Sequence, residues 1–556
     1  MGIKAKKFIT SAKKGDNVMK ELLKGMSLRE KIAQTAMPSP SATRQGVLEE
    51  GSYANYMKKY PFCGFYVVRI GMIKDDGTPV EKGADTAKIV SEASAAAKIP
   101  LLIATDAEFG AKQIYADMTD IPSNMATGAA ASPELTYKRA YYWAKELYSA
   151  GINWAFGPVC DLLKHFLSVS GTRCMSDNTD LIVDLIPHAI KGIQDAGVLA
   201  TAKHYPGTMG DFRDSHFSLV VDELPREEWD KKIKPIWEAA AKAGVDSFMV
   251  GHHAHTNLDD SYTSQNMPRP ASASKKILDI LRKDIDFDGI IVTDAVTMKS
   301  VASSFTHEEM YIECLNAGND VVLFTGNDYI DVIEKAYNEG KVTLERIEEA
   351  AERVLRYKKK IGLFEGKYVG EAMTEKDKKD FNETNYEICK KAATLIGNDG
   401  KIPFDVSNVK KATIIPLAPS ERFHNEYVKL IQDSLARYGV ESDVVSEIRS
   451  KTTLKEISET SDLIIYACFI SWTEPSGFPG YSQEREMNTL FNSLSYGTEK
   501  SVVVSFGHPS VYYNYFYGFH GFINMYGLSQ QSIDAFVDGI FGKYEFTGKS
   551  PVSLKP

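Results

Sequence analysis

The chain has 556 residues, 43% hydrophobic and 25% charged, enough for two globular domains with a sizeable core. Its formal net charge of −9 argues against a nucleic-acid partner, and no run of about 18 apolar residues is present to span a membrane. The six cysteines at 63, 160, 174, 314, 389 and 468 form no CxxC pair, so free, mostly buried thiols in a reducing, cytoplasmic compartment are expected.

The basic opening MGIKAKKFITSAKKGDNVMKELLKGM lacks the apolar run of a secretory signal, so export is not expected. Strand-type runs then follow at IAQTAM (32–37), GFYVVRI (64–70), PLLIATD (100–106), INWAFGPV (152–159), LATAKH (199–204), DSFMVGH (246–252), GIIVTD (289–294) and DVVLFT (320–325). Between them ADTAKIVSEASAAAKI, PELTYKRAYYWAKELYSAG, REEWDKKIKPIWEAAAKAG and SASKKILDILRKDI repeat apolar residues at three and four, the helical period. Eight strand–helix units predict a (β/α)8 TIM-like barrel, with an open doubly wound sheet as the alternative.

A long charged helix, LERIEEAAERVLRYKKKIGLFEGKY, and the polar stretch EAMTEKDKKD mark the exit. ATIIPLAP, SDLIIYACFIS, SVVVSFG and GFINMYG then read as buried strands between helices such as HNEYVKLIQDSLARYG and QQSIDAFVDGIFG. A smaller parallel-sheet αβα sandwich is expected, giving a barrel over 1–375 and a sandwich over 376–556.

In such barrels the chemistry sits at the C-terminal ends of the strands. There the apolar runs end in Asp106, in Lys203 and His204, in His252 and in Asp294, while Asp161 and Arg173 follow the fourth run. A helix cap or a solvated charge explains each alone, but ionisable groups delivered from several strands to one rim predict a polar pocket. GHHAH (251–255) has neither HExxH spacing nor a carboxylate at a helical interval, and no glycine pattern fits GxGxxG or a Walker loop. No metal and no cofactor is expected. What remains is a carboxylate nucleophile with an acid/base on a rim loop, the arrangement of a retaining glycosidase.

The stretch KHYPGTMGDFRDSH (203–216) resembles the KH(F/I)PG(H/L)GxxxxD(S/T)H signature of the β-N-acetylglucosaminidases of glycoside hydrolase family 3, with Lys203, His204, Pro206, Gly207, Asp214, Ser215 and His216 in register. VTDAVTM resembles the family's nucleophile segment, and the resemblance runs from about residue 25 to the C-terminus. It implies His216 as general acid/base with Asp214 as its partner, Asp294 as nucleophile, and Asp106, Arg173, Lys203 and His204 as the sugar-binding set. A small carbohydrate is then the partner: a terminal β-linked N-acetylglucosamine, on cell-wall-derived fragments, removed by an exo-acting enzyme. Among the departures from the family pattern are Phe109 and Ala111 in DAEFGAK, where the family reads DQEGGRV, and Met209 in place of Gly.

The resemblance leaves rivals open. A β-glucosidase of the same family takes its acid/base from a Glu of the second domain, for which Glu474, Glu484 and Glu486 are candidates. A phosphorylase is another, because a donor His becomes neutral and does not repel phosphate as a carboxylate does. A sugar-binding protein without activity would be expected to lack Asp294 or His216, and both are present.

Overall fold

The computed structural model describes residues 19, 21–69, 71–165, 168, 170–207, 213–470, 481 and 484–553. Eight parallel strands form the first part: β1 (Ala36–Pro38), β2 (Gly64–Tyr66), β3 (Leu102–Thr105), β4 (Trp154–Ala155), β5 (Leu199–Tyr205), β6 (Ser247–Val250), β7 (Ile290–Thr293) and β8 (Val322–Thr325). Strands β2 to β7 pair in sequence order. The ring is completed by β8, which pairs with β1 with Ala36 opposite Val322, while Val321 bridges Val292 of β7. On the other side the N–H of Cys63 donates to the Ala36 carbonyl at 3.2 Å. The expected (β/α)8 barrel is therefore the fold.

Side chains alternate along each strand, as a period of two requires. Leu102, Ala104, Trp154, Phe156, Leu199, Met249, Ile290, Val292 and Leu323 form one buried cluster inside the barrel. Ile103, Ala155, Ala200, Phe248, Ile291 and Val322, one position over, join the cluster under the surrounding helices. The indole N–H of Trp154 crosses the interior to Thr201 Oγ1 (2.8 Å) and Ser247 Oγ (3.0 Å), so its one polar atom is satisfied.

Two expected strands are shorter than their apolar runs, for local reasons. Ile32 and Ala33 belong to the helix Leu28–Ala33, fixed by a capping box between Ser27 and Glu30, so β1 begins only at Ala36. In 152–159 only Trp154–Ala155 is regular, since Pro158 has no N–H to continue the ladder. Contact with β5 continues through the carbonyls of Gly157 and Pro158, which accept from Thr201 N–H (2.8 Å) and Lys203 N–H (3.2 Å), and through Cys160 N–H, which donates to Lys203 O at 2.7 Å. The 226–244 pattern is two helices, Arg226–Lys232 and Lys234–Lys242, with Pro235 in the first turn of the second.

The second sheet contains β9 (Thr394–Ile396), β10 (Lys411–Leu417), β11 (Glu441–Val444), β12 (Leu463–Cys468), β13 (Ser501–Ser505) and β14 (Phe522–Asn524), in the order β9-β14-β13-β12-β10-β11. All neighbours are parallel except β9, which runs antiparallel to β14. One face is covered by Val428, Ile431, Ile533 and Phe536, the other by Leu454, Ile457 and Val511, which makes the expected αβα sandwich. The sequence missed β9 and β11. Both are edges, and the ESDV of β11 is largely exposed and carries no apolar alternation.

The two sheets are tied together close to the barrel mouth. Ile388 and Ala392 of the helix Glu375–Ala392 pack with Met125, Tyr526 and Val552. Ser123 Oγ donates to Tyr526 O at 2.6 Å, and Ser553 N–H donates to Asp177 Oδ2 at 2.6 Å. Among the described residues no helix is long and apolar enough to cross a membrane.

One residue sits against the grain of the core. In the helix Leu344–Lys360 the buried stripe Ile347, Ala351, Val354, Leu355 continues to Lys358, whose Nζ donates to Gln34 Oε1 at 2.6 Å. Burial pulls its pKa down to about 7. The unfolded chain, with an ordinary lysine near 10.4, then binds a proton that the folded protein lacks at any pH between the two values. Stability contributed at this site accordingly rises with pH through that window. Between pH 7 and 9 the native protein should gain about 2 kcal/mol relative to a Lys358→Met variant, measured by urea unfolding. Parallel stability curves for the two proteins would show that Lys358 stays charged.

Candidate active site

The C-terminal ends of the barrel strands converge on one cavity of about 210 Å³. Asp106 follows β3, Asp161 and Arg173 come from the loop after β4, Lys203 and His204 belong to β5, His252 follows β6 and Asp294 follows β7. Asp214 and His216 complete the wall from the segment after β5. All seven residues singled out from the sequence as catalytic or sugar-binding (Asp106, Arg173, Lys203, His204, Asp214, His216 and Asp294) thus meet in one place.

The floor is an ion network whose centre the sequence reading missed. Glu108 accepts from Arg173 Nε at 2.7 Å and Nη2 at 2.8 Å, a bidentate pair, and lies 2.6 Å from Lys203 Nζ. Burial alone would push its carboxyl up, but the two cations outweigh that and hold it far below the usual range. Lys203, 1% exposed, also pairs with Asp106, which accepts from the Tyr66 hydroxyl as well. His204 Nδ1 is 2.7 Å from Asp161 Oδ2, and its Nε2 is 3.4 Å from Arg173 Nη2. The i,i+2 spacing of a strand does not reach Glu108, because the strand ends at Thr105 and Ala107 turns the chain with a φ of +41°.

Asp294 is held by its backbone, its N–H donating to Val250 O at 2.8 Å, while its own Oδ1 accepts from Ala295 N–H at 2.7 Å. Burial raises its carboxyl pKa, yet His204, His252, the Ala295 amide and Lys203 bring it below the ordinary value. His204 is the largest of these opposing influences, Lys203 adds a fixed charge, and burial lowers the pKa of His252. Arg173, in the same cavity, pairs with Glu108. His252 bridges Ser272 Oγ (2.7 Å) and Ala295 O (3.0 Å) and so fixes the turn that carries Asp294.

His216 Nδ1 lies 2.6 Å from Asp214 Oδ1, and the same oxygen accepts from His216 N–H at 2.9 Å. An ionised carboxylate can only accept, so Nδ1 carries a proton and Nε2 is the nitrogen left for other work. The hydrogen bond to Asp214 raises the His216 pKa, against the opposing effect of burial. The segment is docked on the loop of Asp294: Lys299 N–H donates to His216 O and Ser300 N–H to Ser215 O, both at 3.2 Å.

The departures from the family pattern fall differently. Phe109 lines the cavity, Ala111 is fully buried outside it, and Met209 lies outside the described residues. Two further histidines, His253 and His255, line the wall, and burial pulls His253 down to about 4. Among the described residues none beyond Met298 lines the cavity. Of the second-domain glutamates, Glu486 is buried against Arg485 at 2.9 Å, Glu484 opens the helix Glu484–Asn492, and Glu474 lies outside the described residues.

The chain is similar to a β-N-acetylglucosaminidase/β-glucosidase of Cellulomonas fimi, 28% identical over 504 residues, covering 84% of this chain and 86% of the relative. A β-hexosaminidase of Haemophilus influenzae is 31% identical over 233 residues, 41% of this chain and 64% of the relative. Among solved structures, a β-glucoside phosphorylase superposes with a TM-score of 0.82 at 22% identity, covering 97% of each chain. A family 3 β-N-acetylglucosaminidase of Paenibacillus superposes with a TM-score of 0.79 at 22% identity, covering 95% of this chain and 99% of that one. At those identities the likeness is one of fold. The model of the glycosyl hydrolase family 3 N terminal domain matches residues 27–357, and the chain belongs to that family.

Proposed function

We propose that the protein is a retaining exo-β-N-acetylglucosaminidase that removes terminal β-linked N-acetylglucosamine through a covalent intermediate on Asp294. The observation that carries this is the Asp214–His216 pair in the same cavity as a buried, low-pKa carboxylate. The relatives named β-hexosaminidase and β-N-acetylglucosaminidase support the sugar. Six free, buried cysteines support a cytoplasmic site of action, on cell-wall-derived fragments. Residues 1–375 form the catalytic unit in this reading and 376–556 a second unit, supported by the separate barrel and sandwich cores.

The reaction begins with the terminal sugar held by Asp106, Lys203, His204 and Arg173, whose charges are already paired and placed. His216, protonated, gives its Nε2 proton to the glycosidic oxygen as the C1–O bond breaks. The Asp294 carboxylate forms a new bond to C1 from the opposite side of the ring. Water then attacks C1 and passes a proton to the now neutral imidazole, and Asp294 leaves as a carboxylate. Asp214 keeps Nδ1 protonated throughout and stabilises the imidazolium. A second reading, phosphorolysis, is favoured by one observation: the acid is an imidazole, which after donation presents no negative charge to a phosphate nucleophile.

Two measurements test the proposal. Initial rates on aryl β-N-acetylglucosaminide and aryl β-glucoside, with and without phosphate, should show a kcat/KM clearly higher for the former and free N-acetylglucosamine as product in both buffers. Equal or faster turnover of the glucoside would overturn the sugar, and a sugar 1-phosphate as the main product would replace hydrolysis by the second reading.

The pH profile tests the roles. Asp294 must be ionised and its pKa is depressed, so activity should persist on the acid side below pH 5 wherever the fold holds. His216 must be protonated and its pKa is raised, so the alkaline limb should fall above 6.5. Asp214→Asn removes the raising interaction and should shift that limb to lower pH, with losses of roughly 10² to 10⁴ on poor leaving groups and far smaller ones on activated aryl groups. An alkaline limb that did not move, or equal losses on both leaving-group types, would remove the pair from the acid/base role.

A further inference from the structure

We infer that Phe217 forms a stacking platform for the leaving sugar, so that the enzyme selects a second pyranose ring next to the bond it cleaves. This rests on the acid role proposed for His216.

Phe217 follows His216 directly and is 81% exposed. Among the described residues eight large hydrophobic side chains are exposed, Phe217 and Phe491 most of all, and of the eight Phe217 alone is next to a residue lining the cavity. A phenyl ring left in water forgoes the stabilisation that burial would bring, which makes its place at a reaction centre informative. Its backbone is fixed, not loose: Phe217 N–H donates to Asp214 O at 3.1 Å, within the turn that also holds His216, whose ring centroid is 6.4 Å away.

The chemistry locates the leaving sugar. The oxygen protonated by His216 is bonded to that sugar, so the leaving ring lies within one ring's width of the imidazole. A β-linked pyranose with equatorial hydroxyls presents axial C–H groups on both faces, an apolar surface suited to an aromatic ring. Phe217 supplies such a ring at that distance, and Phe109 adds a second aromatic in the cavity wall, at a position where the family pattern has glycine. The charged groups of the floor, by contrast, serve the sugar that is transferred.

The test compares two substrates that carry the same terminal sugar and both need the His216 proton: the disaccharide, whose leaving group is a pyranose, and the methyl glycoside, whose leaving group has no ring. The ratio of their kcat/KM values should fall at least tenfold in Phe217→Ala and return to within about threefold of wild type in Phe217→Trp. An equal loss on both substrates would mean that Phe217 only supports the turn around His216, and no loss on either would mean that the ring touches no leaving group. Either result overturns the platform. Wild-type protein that turns over neither substrate would instead overturn the activity on which the inference rests, before Phe217 is altered.

Discussion

The site depends on a single buried carboxylate placed between two cations. Lys203 is 1% exposed and Arg173 13%, and a charge at that depth needs a counter-charge. Glu108 supplies it to both, from the loop after β3, and thereby ties the loop after β4 to strand β5. Everything else on the floor follows from that tie. Lys203 can then also hold Asp106, Arg173 can approach His204, and His204 can rest on Asp161. Truncating one member of such a network leaves an uncompensated charge, at a cost of roughly 3–5 kcal/mol. The result is a rigid, polar floor that needs little reorganisation to meet the hydroxyls of a sugar.

Above this floor, two groups with opposite protonation requirements are built on one frame. The turn that carries Asp294 also donates, through Lys299 and Ser300, to the backbone of the segment that carries His216. Their environments move the two pKa values apart: Lys203 and the Ala295 amide favour ionised Asp294, and Asp214 favours protonated His216. A carboxylate and an imidazolium are therefore present together over a broad range of pH, as the acid and the nucleophile of the proposed reaction require. The second sheet acts at a distance, by anchoring Asp177, which lies just beyond Arg173, to the chain end at Ser553.

Much of this was legible in the sequence because barrels make it so. Apolar runs mark the strands, and the polar residue that ends each run falls on the functional rim, which is how Asp106, Lys203, His204, His252 and Asp294 were found. The pair Asp214–His216 lies on a loop without periodicity, and there only the resemblance pointed to it. Glu108 was passed over because a second acid beside Asp106 looks like a solvated loop charge until Arg173 is brought to it from 65 residues away. Edge strands such as Glu441–Val444 pair on one side only and need no apolar alternation, so they left no pattern to read.

The claim on which the account turns is that Asp294 becomes bonded to the sugar. A fluorinated glycosyl fluoride of the terminal sugar, whose ring fluorine slows the release of the glycosyl-enzyme, allows this bond to be mapped by mass spectrometry of proteolytic peptides. The mass of one transferred sugar should appear on the peptide containing Asp294 and be absent from the Asp294→Asn protein. A label on any other carboxylate, or rapid turnover with inversion at C1 and no label at all, would contradict it.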